Sequence, residues 1–158
     1  MIEYKIGNAL EPEEKNPKYL IHVCNNVGGF GSGFAYFVSK KWPFVQSAFF
    51  ENFEQCKLSK LGDIQIIQIE PGFSIVNMIA QEGIGWSKGR PPIRYEALKT
   101  CLIKVAEMAK KENACLIGPR FGSKRSGGSW VIIERLILDA CKDVPVYIYD
   151  LPEDQRED

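Results

Sequence analysis

Residues 19–35 read YLIHVCNNVGGFGSGFA, and this stretch decides the fold. The run from Tyr19 to Cys24 is short and apolar, which is typical of a strand covered on both faces. Glycines follow, and residues 34–41 then read as a helix that ends before Pro43. A buried strand, a glycine-rich loop and a helix in this order are typical of α/β proteins, in which ligands bind at the carboxyl ends of the strands.

The alternation of strands and helices continues on both sides of this stretch. Short apolar runs predict strands at 2–6, 64–69, 73–79, 114–117 and 144–149. Amphipathic periodicity predicts helices that start at Pro43 and that span about 93–111 and 130–141. On the last helix we expect four residues to face the core, namely Ile132, Leu136, Ile137 and Ala140.

This pattern predicts a three-layer α/β/α fold around a mostly parallel mixed sheet. The length of 158 residues corresponds to one domain. We expect that domain to fill residues 1–151, and residues 152–158 to form an acidic flexible tail.

The composition limits the classes of function. Hydrophobic residues make up 45% of the chain and charged residues 25%, as in an ordinary soluble protein. Twenty basic and twenty acidic residues cancel, which disfavours nucleic acid as a partner, because binding it relies on a surplus of Lys and Arg. No apolar stretch approaches the ~20 residues that cross a bilayer, and residues 1–5 lack the pattern of a secretory signal. We therefore expect no membrane partner and a cytoplasmic location, in the host cytoplasm if the source is a virus.

The first loop, residues 24–35, carries glycines at 28, 29, 31 and 33. Glycines let the backbone approach a ligand closely and aim its N–H groups inward, and the helix that follows adds the positive end of its dipole. These features favour a phosphate or diphosphate ligand. The spacing does not match the dinucleotide fingerprint G-x-G-x-x-G, which disfavours a Rossmann enzyme. The alternative is a loop that is merely flexible.

The second loop, residues 118–129, nearly spells a phosphate-binding P-loop. Gly122 and Gly127 have the required spacing, but Gly128 stands where the essential lysine belongs, which argues against an ATPase or GTPase. The loop still offers backbone amides, hydroxyls and the two cations Lys124 and Arg125 at the start of a helix. Alternatively, these two cations are simply solvated.

Three polar residues lie at or beside the start of the first loop. His22 is the only histidine; it is either a hydrogen-bonded core residue or a group that holds or moves a proton beside a phosphate. Asn25 and Asn26 either cap the following turn or contact ribose hydroxyls and position a water molecule.

The sequence offers no usual metal site. The five cysteines are widely spaced, and no Cys-x-x-Cys pair occurs, so one histidine cannot complete a typical zinc site. Neither glycine-rich loop contains a pair of carboxylates. We therefore predict a site without a metal or another cofactor.

Several segments in this order resemble the macrodomain family, and within it the branch of the yeast-type ADP-ribose-1''-phosphate phosphatase with its bacterial and phage relatives. The segments that carry the resemblance are residues 7–10, 21–26 with 31–35, 76–81 with 91–98, 119–122 with 127–130, and 146–151. They cover nearly the whole chain.

The resemblance implies that the ligand is ADP-ribose or ADP-ribose-1''-phosphate, and it admits ADP-ribosylated macromolecules as further partners. It places adenine near Asn8 and Ala9, the diphosphate on backbone amides of both loops, and the distal ribose near Asn25, Asn26 and His22. The ligand-binding residues that it implies are Gly7, Asn8, Ala9, Gly31, Ser32, Gly33, Phe34, Phe121, Gly122, Ser123, Lys124, Arg125, Ser126, Gly127 and Tyr149.

We predict that the protein hydrolyses ADP-ribose-1''-phosphate to ADP-ribose and phosphate. In this mechanism Asn25 or Asn26 positions the water, backbone amides stabilise the phosphoryl oxygens and His22 moves the proton. One alternative is a non-catalytic reader or sponge of ADP-ribose. Another is a mono-ADP-ribosyl hydrolase that acts on protein or nucleic-acid ends.

Two departures from the family pattern affect the choice between these functions. Ser129 stands where relatives often have an acid, which favours the reader. Gln81 and Ser126 fall near the positions of the lysine and aspartate with which one branch releases ADP-ribose from glutamate, which weakens the hydrolase alternative.

Overall fold

The computed structural model describes residues 1–55 and 60–152. Every strand and helix expected from the sequence is present, with small shifts at the ends. In chain order the elements are β1 (Ile2–Ile6), β2 (Lys18–Asn25), α1 (Gly33–Lys41), α2 (Pro43–Glu54), β3 (Ile64–Glu70), β4 (Phe73–Gln81), α3 (Tyr95–Glu112), β5 (Cys115–Gly118), α4 (Trp130–Ala140) and β6 (Val146–Asp150). Of the predicted acidic tail, residues 153–158 lie outside the described residues.

Within the described residues, six strands form one sheet in the order β1-β6-β5-β2-β4-β3. All neighbours pair in parallel except β3, which pairs with β4 in an antiparallel hairpin. The predicted mostly parallel mixed sheet is therefore confirmed. Because five strands run the same way, the segments that follow them all leave the sheet at one side, which we call the carboxyl edge.

Helices cover both faces of the sheet. Tyr19 and Ile21 of β2 belong to the core that α3 and α4 cover, whereas Leu20 and Cys24 belong to the core beneath α1 and α2. Side chains alternate along a strand, so a strand that is apolar throughout must be covered twice. The three-layer α/β/α prediction is confirmed.

The face that α4 turns toward the core differs from the one predicted from the sequence. Ile133 and Ile137 are buried, whereas Ile132 is 45% exposed, so the prediction that Ile132 faces the core was wrong. The Cδ1 atom of Ile133 lies 3.1 Å and 3.0 Å from the positions that Cβ atoms would take at Gly122 and Gly128. The second loop thus packs against Ile133, and this contact sets the phase of the helix.

The described cysteines are buried or half-buried thiols. Burial raises the pKa of Cys101 to about 12 and that of Cys141 to about 11, so neither is a thiolate at neutral pH. Cys56 lies outside the described residues. Within those residues no group of three or more His, Cys, Asp or Glu side chains is arranged to hold a metal ion. None of the helices in these residues combines the length and the apolar character needed to cross a bilayer.

Candidate functional site

The two glycine-rich loops face each other across the carboxyl edge. Gly33 begins α1 with a φ of +62°, a left-handed conformation that favours glycine. A Cβ atom at this position would lie 3.2 Å from Cδ of Arg125, so the Arg125 side chain of the second loop packs against the start of α1. In α1, Ser32 makes no side-chain cap and no acidic residue occupies the first turn. The start of this helix therefore presents N–H groups and the positive dipole end toward the second loop.

Asn25 gives the first loop its shape. Its Oδ1 accepts hydrogen bonds from the backbone N–H groups of Val27 and Gly29 at 3.0 Å and 2.9 Å. Its Nδ2 donates to the carbonyl of Gly29 at 2.8 Å. The side chain is 8% exposed, so these bonds lie largely out of water. Asn25 thus folds the turn on which the rest of the loop depends.

A third segment, the bridging loop (residues 82–92), connects both glycine-rich loops at one end of the cleft. Oδ1 of Asn26 accepts a hydrogen bond from the backbone N–H of Gly83 at 3.0 Å. Ser126 donates from its hydroxyl to Oε1 of Gln81 at 2.6 Å, and Nε2 of Gln81 donates to the carbonyl of Gly83 at 3.0 Å. The side chains whose hydrogen bonds join the loops at this end are therefore amides and a hydroxyl.

Two exposed apolar side chains of the bridging loop close over glycines. Cδ1 of Ile84 lies 2.6 Å from the Cβ position at Gly29, and the Trp86 ring lies 3.0 Å from that at Gly127. Ile84 and Trp86 are nevertheless 65% and 63% exposed. The bridging loop thus borders one end of the cleft, and its two apolar side chains are also exposed to solvent.

His22 lies beneath the first loop and is 1% exposed. The rings of Phe30 and Phe34 pack on its imidazole, with centroids 5.8 Å and 5.5 Å away. Its Nε2 lies 2.5 Å from Oδ1 of Asn77, which is directly opposite on β4. Asn77 donates in turn to Gln65, its partner on β3, at 3.0 Å. Side chains in cross-strand register thus form a buried polar chain below the site.

Burial lowers the pKa of His22 to about 4, with the hydrogen bond to Asn77 acting weakly in the opposite direction. The imidazole is therefore neutral at pH 7 and donates from Nε2 to Asn77. Among the described residues, Nδ1 of His22 has no hydrogen-bond partner. This placement makes His22 a support for the aromatic side of the first loop.

We expect acidification to weaken the fold through His22. The unfolded chain gains a proton there near the ordinary pKa of 6.5, whereas the folded chain does not until about pH 4. The contribution of His22 to the free energy of unfolding is therefore fully present above the pKa of His22 in the unfolded chain. It decreases as the pH falls, by about 1 kcal/mol between about pH 7 and about pH 5.5. Urea unfolding at both pH values measures this loss.

A matched variant isolates the contribution of His22. No other histidine titrates in this pH range, so His22→Gln is expected to show the same free energy of unfolding at both pH values. An equally flat profile for the native chain would contradict a buried neutral imidazole.

The opposite end of the cleft lies at the ends of β1 and β6. Oδ1 of Asn8 accepts from the N–H of Leu10 at 2.9 Å and holds a turn, in which Ala9 is buried. The Tyr149 ring lies 3.3 Å from the Cβ position at Gly7. Burial, together with the hydrogen bond to Glu14, raises the pKa of Tyr149 to about 12, so its hydroxyl remains a donor.

The second loop is anchored near this end by Arg120. Its guanidinium donates from Nε and Nη2 to the carboxylate of Asp150 at 2.8 Å and 3.0 Å, a bidentate pair. The same group lies 4.9 Å and 5.5 Å from the ring centroids of Tyr4 and Trp130. Phe121 is 4% exposed and packs edge-on against Trp130.

The predicted residues fall into three places along the carboxyl edge. Gly7, Asn8, Ala9 and Tyr149 lie at one end; Gly31, Ser32, Gly33 and Phe34 lie in the middle, where Arg125 contacts Gly33; and Asn25 and Asn26 lie toward the other end, where Ser126 bonds to Gln81. The structure places His22 beneath the loop instead of along the cleft. Sequence reasoning missed Ile84, Trp86 and Arg120, although a glycine- and proline-rich segment after a predicted strand was a usable signal for the first two.

Solved structures resemble this chain over almost its full length. A protein from Bacteroides thetaiotaomicron is 36% identical, with a TM-score of 0.90, and the match covers 96% of this chain and 100% of that one. A macrodomain protein from Streptomyces coelicolor is 38% identical, with a TM-score of 0.82, over 95% of this chain and 99% of that one. DarTG from Thermosipho africanus, in complex with ADP-ribose, is 20% identical, with a TM-score of 0.66, over 89% of this chain and 39% of that one.

No protein-family model and no curated protein matches the sequence. The identity to the Streptomyces coelicolor macrodomain over nearly the full length of both chains is sufficient by itself. The chain belongs to the macrodomain family.

Proposed function

We propose that this protein binds ADP-ribose along the carboxyl edge of its sheet. The observation that carries the proposal is the approach of Arg125 to the start of α1 at Gly33, because it brings a cation of the second loop beside the N–H groups of a helix that no side chain caps. The Thermosipho africanus relative of the same fold was solved with ADP-ribose. Both observations support a ligand with a diphosphate at its centre.

The three places along the edge suit the three parts of this ligand. Adenine lies at the turn of Asn8, next to the Tyr149 ring, and the diphosphate lies at the start of α1, beside Arg125 of the second loop. The distal ribose lies under the bridging loop, where the amide of Asn26 and the Gln81–Ser126 pair provide donors and acceptors for its hydroxyls.

The finer proposal is hydrolysis of ADP-ribose-1''-phosphate to ADP-ribose and phosphate. Water attacks phosphorus, the bond from phosphorus to the C1'' oxygen breaks, and that oxygen takes a proton. Asn26 is suited to position the water, because it lies at the distal end of the cleft. The side chain of Asn25, in contrast, makes three hydrogen bonds within the first loop. Backbone amides of the loops stabilise the phosphoryl oxygens.

In this proposal His22 acts as a positioning residue and not as a proton shuttle. Its ring is buried and neutral at pH 7, and Phe30 and Phe34 cover it. The leaving oxygen then takes its proton from solvent. Turnover is expected to be slow, since the proposed mechanism uses neither an activated nucleophile nor a metal.

A second candidate, a reader that binds ADP-ribose without turnover, is favoured by the chemistry of the distal end. Gln81 and Ser126 hydrogen-bond to each other there, and neither an amide nor a serine hydroxyl so engaged is a strong base. The exposed Ile84 and Trp86 beside them suit contact with a group attached to the distal ribose.

Calorimetry and a phosphate assay separate these functions. Free ADP-ribose is expected to bind in the micromolar range, about −8 kcal/mol, because the cleft holds one diphosphate and one adenine. ATP and NAD serve as comparators, and equal or tighter binding of ATP would contradict the proposal. Phosphate release from ADP-ribose-1''-phosphate is then measured in excess chelator.

Each result of the phosphate assay selects one function. Release that persists in chelator supports the metal-free phosphatase, and release that stops on chelation contradicts the metal-free mechanism. ADP-ribose binding without release supports the reader. An Asn26→Ala variant that binds ADP-ribose but releases no phosphate would support the role of Asn26 in positioning the water.

A further inference from the structure

Positive charge is concentrated at the cleft, although the chain as a whole has a formal charge of zero. The first, second and bridging loops together contain five basic residues and one acidic residue. That acid, Glu82, already pairs with Arg94 at 2.9 Å. Of the basic residues, Arg120 is paired with Asp150. These three loops therefore contain more basic than acidic residues, which the composition of the whole chain does not show.

Arg125 is the basic residue that lies on the diphosphate position. Its Cδ and Nε lie 3.2 Å and 3.8 Å from the Cβ position at Gly33. In the part of the chain that the structure describes, its guanidinium makes no ion pair with an acid. A cation beside the positive end of a helix is unfavourable unless an anion contacts both of them. This arrangement indicates an anionic group at the contact of Arg125 with the start of α1.

We propose that Arg125 determines the selectivity of this site, by pairing its guanidinium with the diphosphate of the ligand at the start of α1. This inference rests on the proposed binding of ADP-ribose. A guanidinium presents a planar fork of donors, which can bond to oxygens of two linked phosphoryl groups at once. The site therefore prefers a diphosphate to a monophosphate, and Arg125 is the source of that preference.

Calorimetry with ADP-ribose and AMP, at low and at high salt concentration, tests this role. We expect Arg125→Leu to weaken ADP-ribose binding by about tenfold or more at low salt, and AMP binding by less. The salt dependence of the affinity is expected to decrease in the variant, because a screened charge pair has been removed. Arg125→Lys keeps the charge but not the fork, so an intermediate affinity is expected.

Arg135→Leu is the matched control, because it removes the same charge from an exposed position on α4. Its affinity for ADP-ribose is expected to stay within about twofold of the native value. Thermal unfolding checks that the variants fold; Arg125 is exposed, so the midpoints are expected to be unchanged. An Arg125→Leu variant with native affinity, salt dependence and preference for ADP-ribose over AMP would overturn the inference alone. A native chain that binds no ADP-ribose would instead overturn the proposed function.

Discussion

A Gly33→Val variant is expected to lose ADP-ribose binding by more than about hundredfold, which corresponds to about 2.7 kcal/mol. Two effects add at this position. The φ of +62° is unfavourable for a β-branched residue, so the start of α1 must move. The new side chain also enters the space between α1 and Arg125, where its Cβ would lie 3.2 Å from Cδ of the arginine. Calorimetry on the folded variant measures the loss.

A Gly89→Val variant distinguishes the effect of backbone strain from the effect of a side chain that fills the ligand site. Gly89 has a similar φ of +75°, but a Cβ atom there would meet nothing within 4 Å. This variant carries the same type of backbone strain but places no side chain between α1 and Arg125, so its affinity is expected to stay within about threefold of the native value. If Gly33→Val bound ADP-ribose as tightly as Gly89→Val, the diphosphate would not lie at the start of α1.

An Asn25→Leu variant is expected to lose both stability and ligand binding. Three hydrogen bonds from one nearly buried side chain would be lost, and the backbone groups of Val27 and Gly29 would be left without these partners. A decrease of about 2–3 kcal/mol in the free energy of unfolding is expected, since each unsatisfied buried group costs about 1 kcal/mol or more. Urea unfolding measures the stability, and calorimetry with ADP-ribose measures the binding.

Asn52→Leu provides the control for this substitution. Asn52, on α2, donates a single hydrogen bond from Nδ2 to the carbonyl of Ala48 at 3.1 Å. Its loss is expected to change the free energy of unfolding by no more than about 0.5–1.5 kcal/mol. An Asn25→Leu chain that unfolds at the same urea concentration as the Asn52→Leu chain would show that the first loop keeps its shape without Asn25.

The order and type of the elements were predictable because their signals are local. An apolar strand such as residues 19–24 must be covered on both faces, and glycines after it must form a loop at the carboxyl edge. The phase of α4 was not predictable in this way. Ile132 and Ile133 are equally apolar, and Ile133 is the one that packs with Ile137 in the core and against the second loop.

The role of His22 depended on information that no local pattern contains. A histidine at the end of an apolar strand fits both a core residue and a catalytic group. Its environment follows from the register of three strands, which places Asn77 and Gln65 in line with it. Ile84 and Trp86 were missed for a related reason, because the glycines that they cover lie far away in sequence.

The double attachment of the bridging loop has a consequence for the kinetics of ligand exchange. The loop is held to the first loop through the hydrogen bond between Asn26 and Gly83, and to the second loop through the contact of Trp86 with Gly127. A ligand whose distal ribose lies beneath it must either slide out past the turn of Asn8 or wait until both attachments break together. Simultaneous rupture is rarer than either rupture alone, so the bound complex is long-lived for its affinity, and the residence time is controlled by residues that lie far from the adenine.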